Sequence, residues 1–584
     1  MNWEQTCQKW LNFKELDEEL RAQLESIQGD AKQLEDAFYK NLEFGTGGMR
    51  GVIGPGSNRM NRYTVRKAAE GLAQYILDKG EDAKGRGTVI AYDSRHKSPE
   101  FAMEAARTLA SRGIKAYVFN ELRPTPQLSF ALRELNAIAG IVITASHNPP
   151  EYNGFKVYGE DGAQLNLKEA DEVIKKVNLV EDELSLEVKD EKELIDCGLI
   201  KFLGEEMDQA YVEKLKTISE NPGLANDSGL RIVYSPLHGT GNKPLRQALK
   251  ALGYENLHVV EEQEHPDPQF STVKAPNPEE KEAFELAVRD GHKYEADILI
   301  ATDPDADRLG VAVKNPNDEY VLLTGNQTGA LLIDYILSQK EDKGTIPSNG
   351  IIFKTIVTST LGEKIARSYG VEVEDVLTGF KFIGEKIEQY HKDGSYRFLF
   401  GYEESYGYLI GDFARDKDAI QAAILAVEAS AYYKKKGKTL YDVLQSLYEK
   451  HGFHAEGLQS LTLKGKEGAE QINALLGEFR RKPMTALNGV RVTACEDYKE
   501  QIKYDFENNT ESKLVLPASN VIKYFLEDGS WICLRPSGTE PKVKFYFGVT
   551  GEDEAEASKK LNEYQECFMD LVHHTLDAVK QTVK

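Results

Sequence analysis

The sequence predicts a multi-domain α/β protein that ends in a smaller α+β segment, and three observations predict it. At 584 residues the chain is too long for one hydrophobic core. Through most of its length, short apolar runs rich in β-branched residues are each followed by a polar or glycine loop and then a helical pattern, as in βαβ units with helix-covered sheets. Beyond residue 455 the pattern changes to several short strands and one final helix.

Taken in order, residues 1–40 are charged, carry apolar positions at helical spacing and read as an amphipathic leader. Phe44 to Gly51 is a glycine-dense loop that lets backbone N–H groups approach an anion, although alone it reads more simply as a plain turn. Thr88–Tyr92 is a strand ending at Asp93-Ser94-Arg95. Ile138–Ile143 is another, ending abruptly at Thr144-Ala145-Ser146-His147-Asn148-Pro149-Pro150, where two prolines force the chain out of the sheet. Ser146 is therefore expected on a tight loop at the carboxyl end of a strand, the end at which open α/β sheets bind ligands.

A charge-rich helical region spans 166–205. Strands follow at Leu230–Tyr234, Ala296–Ala301, Ile351–Phe353, Val371–Val376 and Arg397–Phe400, the last running into Gly401-Tyr402-Glu403-Glu404-Ser405. In the final segment, Leu514–Pro517, Asn520–Phe525, Trp531–Leu534 and Val543–Val549 read as strands before a helix from 552. Polar stretches place domain cuts near 205, 320 and 455, giving segments 1–205, 206–320, 321–455 and 456–584.

Composition excludes some classes of function. With 72 Lys plus Arg against 95 Asp plus Glu, the formal charge is -23, which disfavours a nucleic-acid partner. No apolar stretch has the length of a membrane span, and the N-terminus lacks the basic start and apolar core of a signal peptide, so a cytoplasmic protein without membrane partners is expected. Five scattered cysteines show no metal-ligand spacing and fit reduced thiols.

Three clusters carry the chemistry. Asp303-Pro304-Asp305-Ala306-Asp307-Arg308 sets carboxylates at alternate positions, which in an extended segment point to one side. Their mutual repulsion calls for a cation, and a hard divalent ion such as Mg²⁺ suits oxygen ligands and phosphate chemistry. Arg308 and Lys314 occupy the positions where a calcium EF-hand needs glycine and glutamate. Arg535-Pro536-Ser537-Gly538-Thr539 follows an apolar strand with a charged fork and two hydroxyls, suited to a phosphate or to a capped turn. Glu403 and Ser405 offer groups for sugar hydroxyls, or simply a surface loop. Phosphoryl transfer needs a nucleophile, a cation, charge neutralisation and a proton carrier. Ser146, the three aspartates, Arg50 with Arg308, and one of His147, Lys156 or Lys381 supply that set.

With these motifs in this order, the chain resembles the α-D-phosphohexomutase family over nearly its whole length. The resemblance implies four domains around a central cleft, the first three similar α/β domains and the last a smaller α+β domain. It implies Ser146 as the phosphorylated serine, and Asp303, Asp305 and Asp307 binding one Mg²⁺ per subunit together with the phosphoserine oxygen. Glu403 and Ser405 would hold sugar hydroxyls. Arg535, Ser537, Gly538 and Thr539 would hold the phosphate not in transfer, and Arg50 and Arg308 the moving one. Some members carry histidine at the position of Lys381, which leaves the base open among Lys381, Lys156 and His147. The Gly45 loop departs from the commoner Gly-Thr-Ser-Gly form. The implied substrates are sugar phosphates, glucose first and mannose or pentose phosphates as alternatives, with glucose 1,6-bisphosphate as intermediate and a monomer or weak homodimer as the working form. A phosphatase and a non-catalytic sugar-phosphate sensor are the rival functions.

Overall fold

The computed structural model describes residues 2–45, 47–463, 465–537 and 542–582. They fall into two compact units, Met1–Phe353 with Gly379–Tyr441, and Lys354–Thr378 with Asp442–Lys584.

In the first unit the apolar runs become strands buried on both faces. β1 (Gly48–Val52), β2 (Thr88–Tyr92), β3 (Ala116–Phe119), β4 (Ala139–Ile143), β5 (Tyr152–Gly159) and β6 (Ile200–Leu203) form one sheet in the order β1-β5-β4-β2-β3-β6. Every residue of β4 is buried, as a helix-covered parallel strand requires. β2 and β4 are parallel, with Tyr92 beside Ile143. Their carboxyl ends therefore lie together, and the Asp93–Arg95 loop meets the Ser146 loop. β6 was not foreseen: within the charge-rich region its Lys201 and Phe202 are exposed, and it adds to the sheet edge beside β3.

A second sheet contains β7 (Ile232–Ser235), β8 (Leu257–Val259), β9 (Ile298–Thr302), β10 (Leu309–Lys314) and β11 (Tyr320–Leu322), ordered β11-β10-β9-β7-β8. β9 and β10 are antiparallel neighbours with Thr302 opposite Leu309, so the acidic motif is the connection of a hairpin. β12 (Gly350–Thr355) crosses from the first unit into the second, and β13 (Glu372–Val376) belongs to the second. In the first unit, β14 (Arg397–Glu403) pairs antiparallel with β15 (Gly407–Leu409). The helix Ala419–Lys435 is buried around most of its circumference and packs on β9 and β10. The N-terminal leader forms three helices, Trp3–Asn12, Glu18–Ser26 and Ala31–Phe38. They share a core of Trp10, Leu24, Phe38 and Tyr63, and the Trp10 indole donates to Glu183.

The second unit carries an antiparallel sheet of β16 (Phe453–Thr462), β17 (Ala486–Leu487), β18 (Val490–Asp497), β19 (Ile502–Asp505), β20 (Thr510–Lys513), β21 (Ile522–Leu526), β22 (Trp531–Pro536) and β23 (Lys542–Gly551). The helix Glu554–Thr582 covers it, and Phe568 packs on Phe479, Phe545 and Phe547. The strand expected at Leu514–Pro517 is absent. The edge strand is the fully exposed Thr510–Lys513, and Val515 is 95% exposed just beyond it. Pro517 cannot donate to a ladder, and apolar residues without a packing surface gain nothing from strand geometry. Among the described residues, no helix is long and apolar enough to cross a membrane.

Candidate active site

Beyond Ile143 the chain is fixed by hydrogen bonds to its own loop. Thr144 Oγ1 accepts the Ser146 N–H at 2.8 Å, and Ser146 takes a left-handed backbone conformation with φ of 53°. Ser146 is buried, and its Oγ donates to Asp303 Oδ2 at 2.8 Å, with His147 Nδ1 3.2 Å away. Burial, together with Arg308 and Arg50, holds the His147 imidazole well below its ordinary pKa and hence neutral.

The three aspartates converge, but not as an extended segment would bring them together. The chain turns at Ala306, which has a φ of 51°, and the Ala306 N–H bonds back to the Asp303 carbonyl at 2.9 Å. Asp303 Oδ1 accepts the N–H groups of Asp307 and Arg308 at 3.1 and 3.0 Å. One oxygen from each carboxylate lies within 4.8 Å of the others, and all three residues are buried. Gly239 lets the neighbouring loop close over this turn, because a Cβ there would stand 2.6 Å from Pro304 Cα.

Lys156 donates to Asp305 Oδ2 at 2.7 Å and lies 3.4 Å from Asp307 Oδ2. Thr125 Oγ1 also donates to Asp305 Oδ2, at 3.0 Å. Burial raises the Asp303 carboxyl well above its usual range, with Asp305 and Asp307 adding to the effect. For Asp305 the lysine outweighs burial and the carboxyl is lowered. For Lys156 burial opposes the charged form, but Asp305 and Asp307 prevail and keep it protonated.

A second lysine was missed in the sequence. Lys417 Nζ is 3.0 Å from Asp307 Oδ2 and 3.3 Å from Asp416 Oδ1, and Tyr158 donates to Asp416 Oδ2 at 2.8 Å. The signal was available in Arg415-Asp416-Lys417-Asp418, four charges wedged between apolar stretches. Asp418 caps the buried helix Ala419–Lys435 and so fixes Lys417 one residue earlier.

The other expected residues lie as follows. Arg308 Nη1 pairs with Glu279, while its Nε stays 4.0 Å from Asp307 Oδ1. Arg50 Nη1 donates to Asn148 Oδ1 at 3.0 Å, which ties it to the Ser146 loop. Glu403 is buried at the end of β14 and accepts the Gly379 N–H at 2.9 Å, and Ser405 is half-buried on the following turn. Burial raises the Glu403 carboxyl despite Lys417 and Arg308. Lys381 is the second residue of the helix Phe380–Asp393, which Gly379 precedes, and its Nζ lies 5.3 Å from the Phe382 ring centroid. Burial lowers its ammonium pKa. In the second unit, Arg535 Nη1 lies 3.3 Å from Tyr546 OH, and the Ser537 N–H bonds to the Lys542 carbonyl at 2.7 Å. Gly538 and Thr539 lie outside the described residues.

Four successive segments match the phosphoglucomutase/phosphomannomutase domains: α/β/α domain I over 41–183, domain II over 209–317, domain III over 324–451 and the C-terminal domain over 469–561. A phosphoglucomutase of Staphylococcus haemolyticus is 41% identical over 95% of this chain and 98% of its own. The chain belongs to the phosphoglucomutase/phosphomannomutase family. A Staphylococcus aureus phosphoglucomutase is 39% identical over 95% of this chain and 98% of its own. The solved structure of parafusin, a Paramecium phosphoglucomutase, shares the fold with a TM-score of 0.68 at 19% identity, covering 93% of this chain and 96% of that one. A family protein from Burkholderia thailandensis does so with a TM-score of 0.63 at 20% identity, covering 92% and 97%.

The buried triad fits a divalent cation, as family membership implies. Asp305 Oδ1 and Asp307 Oδ1 are buried and accept no hydrogen bond among the described residues, which leaves lone pairs open to a metal.

Proposed function

We propose that this chain interconverts glucose 1-phosphate and glucose 6-phosphate through a phosphorylated Ser146 and a glucose 1,6-bisphosphate intermediate. The observation that carries the reading is the 2.8 Å bond from Ser146 Oγ to Asp303, a member of the buried triad. The names of the Staphylococcus relatives support glucose as the sugar.

In this reading Asp303, Asp305 and Asp307 would hold Mg²⁺ with the phosphoserine oxygen, one ion per subunit. The ion would supply positive charge against the transferring phosphoryl oxygens. Arg50, Arg308, Lys156 and Lys417 add fixed positive charge around the same group. In the first transfer the bond from phosphorus to Ser146 Oγ breaks and a bond to the free sugar hydroxyl oxygen forms. Lys381 Nζ, eased toward its neutral form by burial, accepts the hydroxyl proton, and Oγ departs as an anion whose charge is offset by the cationic groups around it. In the second transfer Oγ attacks the other phosphate as the anion left by the first transfer, and the Lys381 ammonium gives its proton to the leaving sugar oxygen.

Glu403 and Ser405 hold sugar hydroxyls, and Arg535, Ser537, Gly538 and Thr539 hold the phosphate that is not moving. The functional division proposed is 1–205, 206–320, 321–455 and 456–584. The working form is a cytoplasmic monomer or weak homodimer whose partners are sugar phosphates, without nucleic acid or membrane. Specificity constants for glucose 1-phosphate, mannose 1-phosphate and ribose 1-phosphate, measured with inorganic phosphate release, test the proposal. Glucose 1-phosphate should lead with almost no phosphate released. Stoichiometric release would make the protein a phosphatase.

A further inference from the structure

The Ser146 loop is gripped from below by a side chain to which the reaction scheme gives no role. Arg95 follows β2, and its side chain is 0% exposed. Its Nη2 donates to the Ser146 carbonyl at 2.6 Å and to the Asn148 carbonyl. Its Nη1 donates to the carbonyls of Pro149 and Tyr152 at 2.8 and 3.1 Å. Its Nε is 3.3 Å from Asp93 Oδ2, and Asp93 is itself held by the Arg95 N–H and by Ser98 Oγ, at 3.0 and 2.7 Å. The guanidinium carbon lies 4.9 Å from the centroid of the buried Phe270 ring, which belongs to the segment between β8 and β9. One side chain thus touches both the loop that carries the serine and the domain that carries the aspartates.

This arrangement does specific work. Ser146 has its N–H tied to Thr144 Oγ1 and its carbonyl tied to Arg95, so both flanking peptides are fixed and Oγ is directed at Asp303. A left-handed conformation is unfavourable for a residue with a β-carbon and persists only where the surroundings impose it. Asn148, whose carbonyl Arg95 also holds, accepts from Arg50, so the same grip orients a cation of the site. Four carbonyls spread along a loop need the planar, five-donor fork of arginine, and a lysine ammonium cannot span them.

We propose that Arg95 is a positioning residue for phosphoryl transfer, holding the Ser146 backbone so that Oγ faces the acidic loop. This rests on the mutase reading above. The test compares wild type with Arg95→Lys, with folded fraction normalised by circular dichroism. The rate of Ser146 phosphorylation by saturating glucose 1,6-bisphosphate is followed by quench and intact mass, beside steady-state kcat and KM. Misplacement of Oγ should slow both phosphorylation and kcat by about tenfold to about 10²-fold. KM should stay within about twofold, since groups that bind the sugar are untouched. Phosphorylation at the wild-type rate, or a loss that only tracks the unfolded fraction, overturns the proposal. Should Arg95→Lys fail to fold, Asp93→Asn loosens the same guanidinium and is judged by the same two outcomes. A wild type that does not interconvert the phosphates defeats the mutase reading instead. An active wild type with an equally fast Arg95→Lys defeats only this one.

Discussion

Ser146 and Asp303 are 157 positions apart in the chain, yet the hydroxyl of the first donates to the carboxylate of the second at 2.8 Å. Two sheets meet at that bond. The removal of Ser146 Oγ costs one buried hydrogen bond to a carboxyl that is itself driven toward its protonated form, so Ser146→Ala should fold. Exchange between the 1- and 6-phosphates should fall by roughly 10³-fold or more, because in the proposed mechanism Ser146 Oγ carries the phosphoryl group. A coupled assay with intact-mass analysis checks this, and near-normal turnover by the alanine protein would sink the mechanism.

The open oxygens of the triad make a metal prediction. Asp305→Asn preserves shape and the contact with Thr125 but removes a charge from the cluster. Mg²⁺ affinity, read by calorimetry, should drop by about tenfold to about 10²-fold. Chelation with EDTA should abolish turnover and lower the wild-type melting temperature, since an ion bound only to the folded form stabilises it by mass action. An unchanged melting temperature across a Mg²⁺ titration would count against a site at the triad.

Lys417 supplies a steric test. Gly407 lies opposite Glu403 in the β14–β15 pair, and a Cβ there would stand 2.2 Å from Lys417 Cδ. Gly407→Ala should push the ammonium off Asp307 and Asp416 and lower kcat by about tenfold, with Lys417→Met about 10²-fold down. Equal kcat in all three proteins would show that Lys417 serves only the fold.

Asp418 sets a pH dependence. Complete burial raises its carboxyl from 3.8 to about 6, although Gln421, Ile420 and Tyr211 donate to it. The folded state therefore holds the proton over a range where the unfolded chain releases it. Stability falls as pH rises from about 4 to about 6 and is flat on either side, the group contributing up to about 3 kcal/mol of that slope. Asp418→Asn should flatten the curve of melting temperature against pH in that window. An unaltered slope would place the titration elsewhere.

The sequence showed most plainly the elements built on contiguous apolar runs. β4 and β9 were readable because strands buried on both faces are written as unbroken apolar runs. The serine and aspartate loops were readable because prolines and charges end those runs. The means of convergence was not readable, since alternate spacing suggested an extended segment whereas a left-handed Ala306 makes the turn. Lys417 and Arg95 escaped because each acts on residues far along the chain, and a lone basic side chain carries no local mark of its partners. β6 and β20 escaped for another reason: edge strands facing solvent need no apolar pattern.

The φ of 53° at Ser146 also bears on which hydroxyl amino acid stands there. Threonine offers the same oxygen, but its branched β-carbon clashes with the backbone in that region of conformational space. The restriction to serine is thus written in torsion angles rather than in nucleophilicity, and threonine is disfavoured on this loop however well its oxygen would react.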